Sequence, residues 1–139
     1  MADIAAKKAR PQYRNIDSIP QILSYRLPPA GIVSILHRVS GALLFLFGIP
    51  FVLWLLQQSL TSEISFESYR AAVGSVPGKL ALLAVGWAFI HHAVAGIRYL
   101  LLDRHVGIEK DASRQSATIV LGTTVVLTAI YALKLFGAF

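Results

Sequence analysis

The 139-residue chain contains no cysteine. This absence excludes disulfide bonds, iron–sulfur ligation by this chain and zinc sites that need thiolate ligands. Charged residues are also scarce: they make up 14% of the chain, whereas a soluble globular protein has about a quarter. Hydrophobic residues make up 55%. The composition therefore excludes an ordinary soluble domain and indicates a protein buried in a membrane.

The few charged residues are unevenly distributed and give a net charge of +6. Three long segments contain no Asp, Glu, Lys or Arg, namely 39–56, 80–97 and 117–133. A basic chain can bind nucleic acid, but basic residues that flank long apolar segments fit membrane orientation better. We therefore expect a lipid membrane as a partner of this chain, and no nucleic acid.

Each uncharged segment is close to the roughly 20 residues that a helix needs to cross a bilayer core. The sequence predicts an all-α membrane protein with three transmembrane helices, at about 31–58, 78–103 and 115–136. These helices form one transmembrane domain, 31–139. An N-terminal arm, 1–30, precedes it, and its four prolines favour an extended conformation. Pro50 lies within the first span, where it predicts a kink rather than a break.

Basic residues also predict how the chain is oriented. The N-terminal arm and the second loop, 103–116, are rich in Lys and Arg, whereas the first loop and the C-terminus have few. Loops on the cytoplasmic side of a membrane carry the excess of basic residues. We therefore expect a cytoplasmic N-terminus and a C-terminus outside. No cleavable signal peptide is visible before the first apolar segment, so the arm is expected to stay where the chain is made.

Five ionisable residues lie within the predicted spans: His37 and Arg38 in helix one, and His91, His92 and Arg98 in helix two. Such residues are costly in a bilayer and usually mark a function. Helix one begins and helix two ends on the cytoplasmic side, so the two clusters should meet. A membrane histidine with arginines nearer the surface suits a haem, because imidazole binds iron and guanidinium pairs with propionates. The alternatives are arginines that snorkel and a histidine that hydrogen-bonds a neighbouring helix.

The two adjacent histidines differ in the residues that share their helix faces. Those around His92 are Ala84, Ala88, Ala95 and Gly96, and those around His91 are Trp87 and Val94. Small residues let a flat macrocycle or another helix come close, which favours His92 as the ligand. His91 is seven residues before Arg98, so we expect it to face the polar rim. Helix three has no ionisable residue within its span, and we expect it to be a packing and lipid-facing helix.

Ser34 and Arg38 are four residues apart and share one face of helix one. A hydroxyl and a guanidinium can bind a carbonyl oxygen and stabilise negative charge on it, as a quinone head group requires. The alternative for Ser34 is a bond back to its own helix. We expect Asp103 to end helix two at the same depth, where it balances Arg38, relays protons or is simply a solvated charge.

Two segments resemble signatures of a known family. Residues 34–41, Ser-Ile-Leu-His-Arg-Val-Ser-Gly, resemble the first signature of the cytochrome b subunit of succinate dehydrogenase, complex II. Residues 92–103, His-Ala-Val-Ala-Gly-Ile-Arg-Tyr-Leu-Leu-Leu-Asp, resemble the second, and Arg10-Pro11 resembles the lead before the first. The similarity covers most of the chain. The departures are Tyr99 in place of the frequent His or Phe, a longer lead, and the additional His91.

The resemblance implies a role for each candidate residue. His92 corresponds to an axial haem ligand, and Ser34 and Arg38 to residues that contact ubiquinone. His37 corresponds to a histidine near the haem propionates, where we also expect Arg98. The resemblance further places Asp103 near the quinone site, which makes it the candidate for the proton relay. No residue of this chain is expected to catalyse succinate chemistry.

The resemblance also implies partners and a place in the cell. The haem b would be shared with a second small membrane-anchor subunit that supplies the other histidine. An iron–sulfur subunit and a flavoprotein would dock on the cytoplasmic face, and electrons from succinate would pass through them to ubiquinone. The chain would then be a multi-pass anchor in a bacterial inner membrane. The alternatives are a fumarate reductase anchor, which supports quinol oxidation, and a non-redox membrane adaptor.

Overall fold

The structure is a computed structural model that describes residues 19–138. The arm before Ile19, with the lead Arg10-Pro11, lies outside the described residues. All regular elements within 19–138 are helical. They are α1 (Ile19–Ser24), α2 (Pro29–Leu43), a π-helical turn (Leu44–Gly48), α3 (Ile49–Thr61), α4 (Glu63–Gly74), α5 (Val76–Asp103) and α6 (Lys110–Leu135).

Three continuous helical stretches are long and apolar enough to cross a membrane: Pro29–Thr61, Val76–Asp103 and Lys110–Leu135. The predicted all-α membrane protein with three transmembrane helices is therefore confirmed. The third helix begins five residues before the predicted position, because a helix can continue through polar residues beyond the bilayer. Residues 19–24 are helical rather than extended. The division into an arm and a transmembrane domain stays a prediction.

The first span passes Pro50 without a break. Pro50 has no N–H to donate to the carbonyl of Leu46, so the regular bonding pattern is interrupted there. The chain accommodates this with the π-helical turn, in which the Ile49 N–H bonds to the Leu44 carbonyl. Such a turn is one of the local adjustments that let proline occur in membrane helices.

The sequence did not predict α4, which lies in the first loop. Ser62 and Ser65 begin it with reciprocal hydrogen bonds, in which each side-chain oxygen accepts from the backbone N–H of the other. This capping box uses serine at the position where Glu or Gln is usual, so it gave no recognisable signal. Ser75 then caps α5 by accepting from the Gly78 N–H.

The central helix of the bundle is α5, which packs against α2 on one side and α6 on another, while α2 and α6 also touch. The buried apolar centre is small and consists of Val33, Ala95, Ala117 and Val120. Most of the large apolar side chains point outward, as expected for helices solvated by lipid. Because α5 has two neighbours, its adjacent histidines face different partners.

Candidate functional site

His92 on α5 meets His37 on α2, and their rings stack. The ring centroids are 4.1 Å apart and the planes differ by 5°. Nδ1 of His92 lies 3.1 Å from the His37 backbone oxygen and 3.4 Å from Ser40 Oγ. The Ser40 hydroxyl donates to the same carbonyl at 3.0 Å, so its oxygen accepts from the histidine. Because a carbonyl oxygen can only accept, Nδ1 of His92 donates, and in the neutral imidazole Nε2 carries the lone pair.

The Nε2 atom of His92 has no hydrogen-bond partner among residues 19–138, and the side chain is only half-buried. Histidines that bind a metal usually donate their other ring N–H to a carbonyl or carboxylate, which fixes the tautomer and the ring orientation. The carbonyl of His37 is such a partner. The donor set therefore fits a haem whose iron is bound by Nε2 of His92.

Glycine at position 41 allows α2 to approach His92 closely. A Cβ built on Gly41 would lie 2.8 Å from Cε1 and 3.2 Å from Nδ1 of His92. On the opposite helix, a Cβ built on Gly96 would lie at an ordinary 3.7 Å from Nε2 of His37. Gly41 is therefore the glycine that the histidine contact requires.

His91 faces the interior of the three-helix bundle and is completely buried. Its Nδ1 lies 3.2 Å from Thr124 Oγ1 of α6. Its Nε2 is buried without a hydrogen-bond partner in the described part of the chain. The expectation that His91 faces the polar rim is therefore wrong, because the α6 contact covers this face of α5.

Two of the alanines that we expected beside His92 share the buried face of His91. Ala88 and Ala95 are both completely buried, together with His91. At about 100° per residue, each alanine lies within roughly 60° of both histidines. Spacing alone therefore could not assign them to one face, and packing against the neighbouring helices decides it.

Arg98 is 6% exposed and extends toward α6. Its Nε donates to Ser116 Oγ at 3.0 Å, and its Nη2 donates to Ser113 Oγ at 3.0 Å and to the Ser113 carbonyl at 3.2 Å. With Thr124, these serines make α6 a source of polar contacts. The expectation that helix three only packs and faces lipid is therefore incomplete.

Ser34 and Arg38 lie on α2, one turn apart. Ser34 is half-buried and Arg38 is exposed. Within residues 19–138, Ser34 makes no hydrogen bond back to its own helix, in contrast to Ser40. The hydroxyl and the guanidinium therefore both lack a hydrogen bond to the described part of the chain.

Asp103 ends α5 and is exposed. It is eleven residues beyond His92, whereas Ser34 is three residues from the stacked His37. The C-terminal end of α5 lies beside the N-terminal end of α2. At 1.5 Å per residue, Asp103 lies about 12 Å farther than Ser34 in this direction. The expectation of equal depth is wrong, and no ion pair joins Asp103 to Arg38 within the described residues.

Sequence reasoning did not single out Ser40, Gly41 and Thr124. A signal existed for the first two, because they follow His37 by three and four residues and so lie on its face. Thr124 gave no signal, since threonine is common in membrane helices and carries no charge.

Comparison with known proteins agrees with the two motif segments. The sequence model of the succinate dehydrogenase/fumarate reductase transmembrane subunit matches residues 9–131. The succinate dehydrogenase cytochrome b556 subunit of Paracoccus denitrificans is 32% identical over 117 residues, which cover 84% of this chain and 89% of that protein. The protein of the same name from Rickettsia felis is 28% identical over 118 residues, covering 85% and 91%. The one from Coxiella burnetii is 35% identical over 83 residues, covering 59% and 66%.

The family match, residues 9–131, covers both motif segments, the first two membrane helices and most of the third. The chain therefore belongs to the succinate dehydrogenase/fumarate reductase transmembrane subunit family, as a membrane anchor of the succinate dehydrogenase cytochrome b kind.

Proposed function

We propose that this chain supplies one axial ligand, His92, to a haem b shared with a second membrane-anchor subunit, and that it forms part of a ubiquinone site. The relatives are named cytochrome b556 subunits, and a b-type cytochrome carries haem b. The observation that carries the assignment is the state of the His92 ring, whose Nδ1 is bonded and whose Nε2 is free. When bound, haem b takes up and releases one electron at a time.

The adjacent His91 does not suit this role. It is completely buried, and Thr124 occupies its Nδ1. Its other nitrogen, Nε2, is buried among packed helices, so a macrocycle could reach it only if these helices separated. His92 is half-buried at the contact between α2 and α5, and its Nε2 has no hydrogen-bond partner among residues 19–138.

The haem propionates would lie on the cytoplasmic side of His92, where His37 and Arg98 are the candidate partners. His37 is in direct ring contact with His92. Arg98 follows His92 by six residues, so at 1.5 Å per residue it lies about 9 Å nearer the C-terminal end of α5. The bonds to α6 use Nε and Nη2 of Arg98, so Nη1 is the guanidinium nitrogen left for a carboxylate.

The ubiquinone head group would bind between Ser34 and Arg38. The serine hydroxyl donates to a carbonyl oxygen, and the guanidinium, which keeps its proton, stabilises negative charge there. Asp103 would supply protons from the cytoplasmic side. Since it lies about 12 Å beyond Ser34 along the helix direction, the relay would need water between them.

The proposed complex is completed by an iron–sulfur subunit and a flavoprotein on the cytoplasmic face. The N-terminus would be cytoplasmic and the C-terminus outside, in a bacterial inner membrane. Family membership supports this redox role over a non-redox adaptor. The names of the relatives favour electron flow from succinate to ubiquinone over fumarate reduction.

The experiment is to purify the complex through a tag on this chain and record its visible spectrum before and after reduction. We expect a Soret band, a reduced b-type α band, and succinate-dependent ubiquinone reduction. A complex without a Soret band would contradict the haem assignment, and one that also fails to reduce ubiquinone with succinate would favour the adaptor. Reporter fusions at both ends test the orientation, and a cytoplasmic C-terminus would contradict it.

A further inference from the structure

His37 holds His92 in two separate ways. Its backbone oxygen accepts from Nδ1 at 3.1 Å, which fixes one edge of the imidazole. Its ring lies against the face of the imidazole at 4.1 Å, with the planes only 5° apart. The hydrogen bond alone leaves the ring free to rock about that edge, and the stacked ring restricts this motion.

Neighbouring residues restrict the pair further. Tyr99 lies against the ring of His37, with centroids 5.0 Å apart and planes at 50°. A Cβ built on Gly41 would lie 2.8 Å from Cε1 of His92, so α2 passes close to this edge of the ring. His37 is thus confined between Tyr99 and His92, and it cannot tilt without moving one of them.

The stack is compatible with metal binding by His92. A metal bound to an imidazole lies in the plane of the ring, along the lone pair of Nε2, whereas His37 covers a face of the ring. The orientation of this plane about the iron–nitrogen bond sets the overlap between the imidazole π system and the iron d orbitals. A residue that fixes the plane therefore influences the electronic state of the iron, one of the levers that proteins use on haem.

We propose that His37 is a positioning residue whose aromatic ring fixes the plane of the His92 imidazole. The inference rests on the proposed ligand role of His92 and goes beyond it, since it assigns to the ring of His37 an effect that is separate from any bond to a propionate. It predicts that the orientation of the His92 plane depends on a flat ring at position 37, whether or not that ring is polar.

Two substitutions separate these possibilities because both keep the backbone carbonyl that binds Nδ1. His37→Phe keeps a flat ring and loses the polar nitrogens, whereas His37→Gln keeps a polar group and loses the ring. Each variant complex would be purified, its haem content measured, and the oxidised haem examined by electron paramagnetic resonance. The largest g value of a low-spin haem with two histidine ligands reports the angle between the imidazole planes.

We expect His37→Phe to retain the wild-type g value, and His37→Gln to shift and broaden the signal or to lose haem. Gly41→Ala should shift it as well, because the new Cβ would press on the edge of His92. A wild-type signal in His37→Gln, or equal changes in both position-37 variants, would overturn the inference. His92→Ala keeps the two proposals separate: if it retains normal haem, the ligand assignment itself fails.

Discussion

Two adjacent histidines of α5 occupy opposite environments. His91 faces the interior of the three-helix bundle, completely buried and bonded to Thr124 of α6. His92 lies in the contact between α5 and α2, half-buried, with one ring nitrogen bonded to a carbonyl and the other free. A rotation of about 100° around one helix therefore separates a histidine that joins helices from one that is available to a ligand.

The difference shows that the energetic cost of a polar residue in a membrane does not by itself tell a ligand from a residue that joins helices. Both histidines are equally expensive by position, so their presence alone predicts function for both. The partners distinguish them. On the α6 side, hydroxyl groups form hydrogen bonds with His91 and Arg98. Such bonds between membrane helices contribute about 0.6 kcal/mol to stability on average. On the α2 side, a backbone carbonyl sets the tautomer of His92 and leaves Nε2 open.

The largest effect is expected on the α2 side at Arg38. Arg38→Leu removes a charge-assisted hydrogen bond worth about 1.5–3 kcal/mol, so succinate-dependent ubiquinone reduction should fall by roughly tenfold or more. Ser34→Ala removes a neutral bond worth about 0.5–1.5 kcal/mol and should have a smaller effect. Succinate oxidation by a soluble artificial acceptor, measured on the same membranes with haem content checked, should stay largely intact. Normal rate and affinity for ubiquinone in both variants would place the quinone site elsewhere.

On the α6 side, the expected effect is on stability. A methyl group at Gly86 would overlap the ring of Tyr131, whose hydroxyl is tied to the Leu82 carbonyl at 3.1 Å. Gly86→Ala should therefore destabilise the bundle by about 1–3 kcal/mol, as overpacking usually does. Thermal inactivation of the purified complex measures this, and the spectrum of the remaining haem should be unchanged. Gly122→Ala is the matched control, since a Cβ there meets nothing within 4 Å. Equal midpoints for both variants would contradict the packing of Tyr131 against Gly86.

The smallest effect is expected at Thr124. Thr124→Val keeps the shape and removes the hydroxyl that bonds His91, which should cost about 0.6 kcal/mol and at most about 1.7 kcal/mol. Thr123→Val is the control, because Thr123 makes no side-chain hydrogen bond within the described residues. A slightly lower thermal midpoint for Thr124→Val alone, with normal haem content, would sharpen the comparison. Haem loss in Thr124→Val would show that the His91 side takes part in binding it.

The sequence predicted the membrane spans well, because an apolar segment of about twenty residues without charge is typical of a helix that crosses a bilayer. It also predicted that the ionisable residues of helices one and two meet, and the stack of His37 on His92 confirms this for one pair. Arg38 is exposed, and His91 and Arg98 bond to α6 instead. The haem and quinone roles of these residues stay predictions.

Other features depend on contacts that spacing does not encode. Ala88 and Ala95 lie between the helix faces of the two histidines. Which histidine is buried together with them therefore depends on where the neighbouring helices pack. The depth of Asp103 depends on the register between α2 and α5, which the stack of His37 on His92 sets. The polar role of α6 went unseen because serine and threonine are uncharged and inexpensive in membrane helices.

The contrast between His91 and His92 is tested most directly by reduced-minus-oxidised spectra of His92→Ala and His91→Ala complexes, normalised to the amount of this chain. We expect His92→Ala to lose or severely perturb the haem band. His91→Ala should keep the band and lower the thermal midpoint, because it empties a buried site between helices. A normal band in His92→Ala together with loss of the band in His91→Ala would reverse the roles assigned to the two histidines.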